Sequence, residues 1–109
     1  MEIRLRDVRH YETPDGRDPF QEWLSGLKDK KARSAVLTRI DRLRSGNLGD
    51  AKRVSGDVYE LRIHYGAGYR VYFVDLDGET VMVLLGGSKR TQKRDIQKAA
   101  AYLKEFRGR

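Results

Sequence analysis

The 109-residue chain has no cysteine. That absence excludes a disulfide scaffold, a structural Cys-zinc site and a thiol nucleophile together, and it suits a reducing cytoplasm. Prolines number only two, and no apolar run approaches the length of a bilayer span. Met1 to His10 alternates charges with aliphatics where a signal peptide would carry an apolar block, so the chain reads as neither a membrane nor a secreted protein. Low-complexity stretches, linkers and internal repeats are also missing, which leaves a single domain over residues 1–109.

Charge is what the chain has in excess. Twenty-three Lys and Arg stand against sixteen Asp and Glu, a formal net charge of +7. Residues 89–109 carry eight basic and two acidic side chains, so nearly the whole surplus lies in the last fifth of the chain. A concentrated basic end attracts polyanions, nucleic acid being the commonest; an acidic protein partner is the other reading.

The pattern predicts a strand over 2 to 9, with Ile3 and Leu5 facing a core and a bulge near Asp7. Thr13-Pro14-Asp15-Gly16 is a turn. Asp18-Pro19-Phe20-Gln21 then supplies an N-cap, a proline at the first helical position and a capping-box glutamine for a helix burying Phe20, Trp23, Leu24 and Leu27. Asp29 caps a second helix with the stripe Ala32, Val36, Ile40 and Leu43, stopped by Ser45-Gly46-Asn47. Lys52-Arg53-Val54 reads as a short edge strand. Three further strands follow at 58–65, 69–76 and 79–86, joined by Gly66-Ala67-Gly68 and by a two-residue Asp77-Gly78 turn. Thr91 caps a last helix bearing Ile96, Ala99, Ala100, Leu103 and Phe106 on one side. This order predicts an α+β domain with an antiparallel sheet.

Alternation along 58–65 sets Tyr59, Leu61, Ile63 and Tyr65 on a core face and Glu60, Arg62 and His64 on the other. If the glycine loop pairs Tyr65 with Tyr69, Arg70 lies opposite His64 and Tyr72 opposite Arg62, and Lys89 and Arg90 reach the same end of the sheet. Such a patch has the parts to cleave RNA without a metal. Glu60 and His64 can move protons between the ribose 2'-OH and the departing 5' oxygen, while Arg62, Arg70, Lys89 and Arg90 hold the phosphate. Tyr72 or Tyr65 can stack on a base. A two-carboxylate metal site has little support, because Glu60 has no second acid on its face. The plainer reading has equal weight: Glu60, Arg62 and His64 as the solvated face of an outer strand, the tyrosines as strand formers, and Lys89, Arg90, Lys93 and Arg94 as the wet flank of a helix end. Positive charge at a helix N-terminus opposes the macrodipole, which favours an anionic partner there.

Val58-Tyr59-Glu60-Leu61-Arg62, Gly68-Tyr69-Arg70-Val71-Tyr72-Phe73 and Leu84 through Gln92, with Asp95-Ile96 beyond, resemble the RelE/ParE toxin superfamily, more narrowly its HigB-like, phage-associated group. The resemblance implies a toxin of a type II toxin-antitoxin pair, a ribosome-dependent mRNA endonuclease held inactive by an antitoxin with a helix-turn-helix DNA-binding domain. It also implies an antiparallel sheet packed against an N-terminal helical hairpin and a C-terminal helix, and no cofactor. Arg70 and Arg90 would then activate the phosphate and Arg62 would assist. Glu60 stands where that superfamily's nuclease has Lys, and Ile96 near where it has Tyr, so Glu60, His64 and Lys89 are the substitutes. Catalytic roles thus fall to Glu60, His64, Arg70 and Arg90, and RNA contacts to Arg62, Tyr72, Lys89, Gln92, Lys93 and Arg94. The alternatives are a ParE-like gyrase poison that cleaves nothing and a plain RNA-binding module.

Overall fold

A computed structural model of the chain describes residues 5–109. Five strands form one mixed sheet with helices on both faces. Strand β1 spans Asp7–His10, helix α1 Pro19–Gly26 and helix α2 Lys30–Arg44; β2 spans Ala51–Ser55, β3 Val58–Ile63, β4 Tyr69–Asp75 and β5 Thr80–Ser88. A 3-10 turn, Lys89–Thr91, leads into helix α3, Gln92–Arg107. The sheet order is β1-β5-β4-β3-β2.

Local chemistry explains the helix boundaries. Asp18 accepts a hydrogen bond from the Gln21 amide with Pro19 in the first turn, and Asp29 accepts from Lys31 and Ala32. Gly46, at φ +86°, ends α2 while the Gly46 and Asn47 amides donate to the Leu43 and Arg42 carbonyls. Phe20, Leu24, Val36, Ile40 and Leu43 pack on Leu61, Ile63, Val71, Phe73, Val81 and Val83, so the helical hairpin seals one sheet face with hydrocarbon. On the opposite face Ala99 and Leu103 of α3 meet Val58, Tyr72, Val74, Met82 and Leu84.

Four expectations change. The first strand begins at Asp7; Ile3 lies outside the described residues, and Leu5 is 74% exposed rather than facing a core. β1 pairs parallel to β5, whereas the other ladders are antiparallel, so the sheet is mixed. Alternation reports which face a residue takes and carries nothing about strand direction. The third difference is register. β3 and β4 pair Arg62 with Arg70 and Glu60 with Tyr72, two residues away from the expected alignment, and His64 falls past the end of the ladder. The glycine loop is longer than assumed: Gly66 and Gly68 both take positive φ, and the Gly68 amide donates to the Tyr65 carbonyl. A shift of two conserves the side-chain face, so the patch survives with different neighbours. The fourth is the other turn, which is longer than the expected two-residue Asp77-Gly78: the Leu76 amide donates to the Thr80 carbonyl across three residues, with Asp77 accepting from the Glu79 and Thr80 amides.

Candidate functional site

Side by side on adjacent strands, Arg62 and Arg70 would repel each other. Glu60 offsets that repulsion from below. Its Oε1 accepts from Arg62 Nε at 3.2 Å and lies 3.5 Å from Arg70 Nε; its Oε2 accepts from the Tyr72 hydroxyl at 3.3 Å and from Gln92 Nε2 at 2.8 Å. Glu60 is 0% exposed, because the start of α3 lies over that end of the sheet. The position expected on an open face is therefore a buried hub: Glu60 holds the cationic side chains that line the surface and offers no carboxylate to solvent. A buried carboxylate is tolerable only with such partners.

Tyr72 changes in the same way. Its ring is fully buried, so no base can stack on it, and burial, reinforced by the Glu60 and Asp95 carboxylates, pushes its hydroxyl far above the ordinary tyrosine range. Gln92 is held by its bond to Glu60. Helix α3 can come this close because β5 ends in glycine: a Cβ on Gly87 would lie 1.9 Å from Asp95 Oδ2, and one on Gly86 would lie 2.0 Å from the Trp23 ring on the opposite face. Asp95 is buried and accepts a hydrogen bond from Thr91. Sequence reasoning did not assign Asp95 a role; the spacing Thr91 to Asp95, one helical turn, after a glycine pair was its available signal.

Above Glu60 opens a cleft of about 420 Å3, lined by Arg62, His64, Tyr65, Tyr69, Arg70 and Lys89 with the glycine loop between them. The Lys89 amide donates to the Gly68 carbonyl, which draws the loop to the entry of α3 and makes the cleft's second wall. Among its lining residues there is no carboxylate. Arg70 presents only 12% of its side chain, its Nε buried without a hydrogen-bond partner among the described residues. His64 is 75% exposed, and its Nε2 meets Asp50 Oδ2 at 2.5 Å. That contact first, with the nearby Arg62 charge and against the opposing effect of burial, holds the Asp50 carboxyl below the usual aspartate range. Asp50 is fourteen residues from His64 and no local pattern pointed to it. Tyr65 reaches back to Asp29 at 3.1 Å.

The structure thus gathers Arg62, His64, Arg70 and Lys89. Arg90 lines a separate hollow with Thr91, Lys93, Arg94 and Gln97, on the first turns of α3. Lys93 and Arg94 are exposed there. No three His, Asp or Glu side chains come together as a possible metal site among the described residues, and no described helix is long and apolar enough to cross a membrane.

Residues 22–105 match the family described as "Phage derived protein Gp49-like (DUF891)". A Haemophilus influenzae protein described as "Uncharacterized protein" is 45% identical over 87 residues, covering 80% of this chain and 88% of the relative. The chain belongs to the Gp49-like family. That match corrects the resemblance to the RelE/ParE superfamily and its HigB-like group, and the toxin identity carried by that resemblance is withdrawn with it.

Proposed function

We propose that this Gp49-like protein binds RNA in the cleft beside the β3–β4 loop and cleaves a ribose-phosphate link there. The observation that carries the reading is a cleft lined by Arg62, Arg70, Lys89 and His64, without a lining carboxylate and with the arginines fixed from below by Glu60. Guanidinium forks suit the planar, bidentate recognition of phosphate oxygens. In the reaction the ribose 2'-oxygen attacks the adjacent phosphorus and the bond from phosphorus to the 5' oxygen breaks. The products are a 2',3'-cyclic phosphate and a 5'-hydroxyl. His64 supplies an imidazole to exchange a proton with the reacting oxygens, its ring oriented by Asp50. Arg70 and Lys89 neutralise charge growing on the phosphorane oxygens. RNA in the cytoplasm is the proposed substrate.

A second reading is RNA binding without turnover. It is favoured by the burial of Glu60, which leaves the cleft with no lining carboxylate to share proton transfer with His64. End mapping separates the two. Labelled RNA, free and in a translating extract, is incubated with the protein. Cyclic phosphate ends that vanish when the 2'-OH at the cut is replaced by hydrogen support cleavage. Arg70→Ala should slow cutting by roughly 10²- to 10³-fold, as removal of one fixed transition-state donor does. Cutting by that variant at the parental rate, or no binding of RNA by the parent, overturns the reading.

A further inference from the structure

A second hollow, of about 470 Å3, lies between α2, the loop after it and the end of β3, and it shares Arg62, His64 and Tyr65 with the cleft. Its far wall is Arg39 and Arg42, three residues apart on one face of α2. Neither has a carboxylate within ion-pair distance among the described residues. Asp50, the carboxylate lining this hollow, is already engaged by His64.

Arg39 is held in place. Gly49, at φ +58°, lies against the guanidinium so closely that a Cβ there would come within 2.2 Å of Nη2, and Nη2 donates to the Leu48 carbonyl at 3.4 Å. Burial first, and then the neighbouring Arg42 charge, pulls the Arg39 guanidinium below its ordinary value, with the more distant Asp50 carboxylate opposing them. Two guanidinium groups without an ion-pair contact among the described residues, one of them preset, continue a groove that already holds three cations.

We infer that Arg39 and Arg42 form a second phosphate subsite, so that the substrate is a single RNA strand running along the groove from α2 past the β3–β4 loop to Lys89. This deepens the reading above and rests on it. A strand is favoured over an acidic peptide because Tyr65, half-exposed and lining both hollows, offers an aromatic face between the two sets of cations, where a base can stack. A single strand places phosphates at regular intervals, and a track of cations broken by an aromatic ring matches that repeat.

The test uses 2'-O-methyl oligouridylates, which cannot be cut, of three and eight nucleotides, with binding followed by fluorescence anisotropy across salt concentration. Each phosphate contact on a single strand contributes about 0.7 to the slope of log affinity against log salt. Replacing both arginines (Arg39→Gln with Arg42→Gln) should lower the eight-nucleotide slope by about 1.4 and leave the trinucleotide slope unchanged. Arg42→Gln alone, on an exposed position, should remove about half of that, and Arg39→Lys should restore most of the Arg39 share. An eight-nucleotide slope equal to the parent's in the double variant overturns the subsite while the cleft reading stands. Failure of the parent to bind either oligonucleotide overturns both. Hexaglutamate binding that depends on Arg42, with the RNA slope unmoved, assigns the hollow to an acidic peptide and overturns the proposal.

Discussion

The two faces of the sheet solve different problems. Under α1 and α2 the contact is hydrocarbon throughout, Phe20, Leu24, Val36, Ile40 and Leu43 against five strands' worth of aliphatic and aromatic side chains. Under α3 it is hydrocarbon at the C-terminal half of the helix, where Leu103 and Ala99 pack. It turns polar at the N-terminal end, where Glu60, Tyr72 and Asp95 are buried together and the half-buried Gln92 donates to Glu60. Burial of apolar area is non-directional and tolerates repacking, whereas a buried carboxylate works only while each donor stays in place. The first face therefore supplies stability and the second supplies geometry to the cleft above it.

Substitutions can break that contrast. The largest expected effect is on the dry face: Leu43→Ala, at a fully buried position, should cost about 2–5 kcal/mol of unfolding free energy in denaturant titrations. RNA affinity at temperatures where the variant stays folded should match the parent's. Next comes Glu60→Gln, which keeps the shape and removes the charge between two arginines; roughly 1–3 kcal/mol of stability should go. Here RNA affinity should change as well, because Arg62 and Arg70 lose their common anchor. Equal RNA affinity in both variants would show that the network does not position the cleft.

The smallest effect sharpens the comparison at the far end of α3. Tyr11 is buried and donates to Glu105 at 2.6 Å; burial first, then Glu105, pushes its hydroxyl up to about 12. The folded state keeps a proton that the unfolded chain releases near about pH 10, so this contribution is intact below that point and is lost as pH rises towards 12. Tyr11→Phe should cost about 1 kcal/mol near neutrality and flatten the alkaline fall in melting temperature.

Much of this was legible in the residues. Capping chemistry at Asp18 and Asp29, the helical stripe from Ala32 to Leu43 and the edge strand at Lys52-Arg53-Val54 all appear where local rules set them. So does the grouping of Arg62, Arg70 and Lys89, because a register error of two leaves side-chain faces unchanged. Burial of Glu60 and Tyr72 was not legible. Charged alternation along a strand looks the same whether water or a helix lies over it, and only the Gly86-Gly87 pair hinted that something comes close there. The His64–Asp50 contact was hidden for a related reason: it joins a loop after α2 to the end of a strand, and no short spacing encodes it.

Those two glycines have a mechanical consequence. Where β5 passes between the Trp23 ring and the Asp95 carboxylate, the partition between the two layers is a bare polypeptide with no side chain on either side. A push on the indole has only that thickness to cross before it reaches the start of α3 and, through Gln92, the anchor of both arginines. A wall one backbone thick thus stands beside the contacts that hold both arginines.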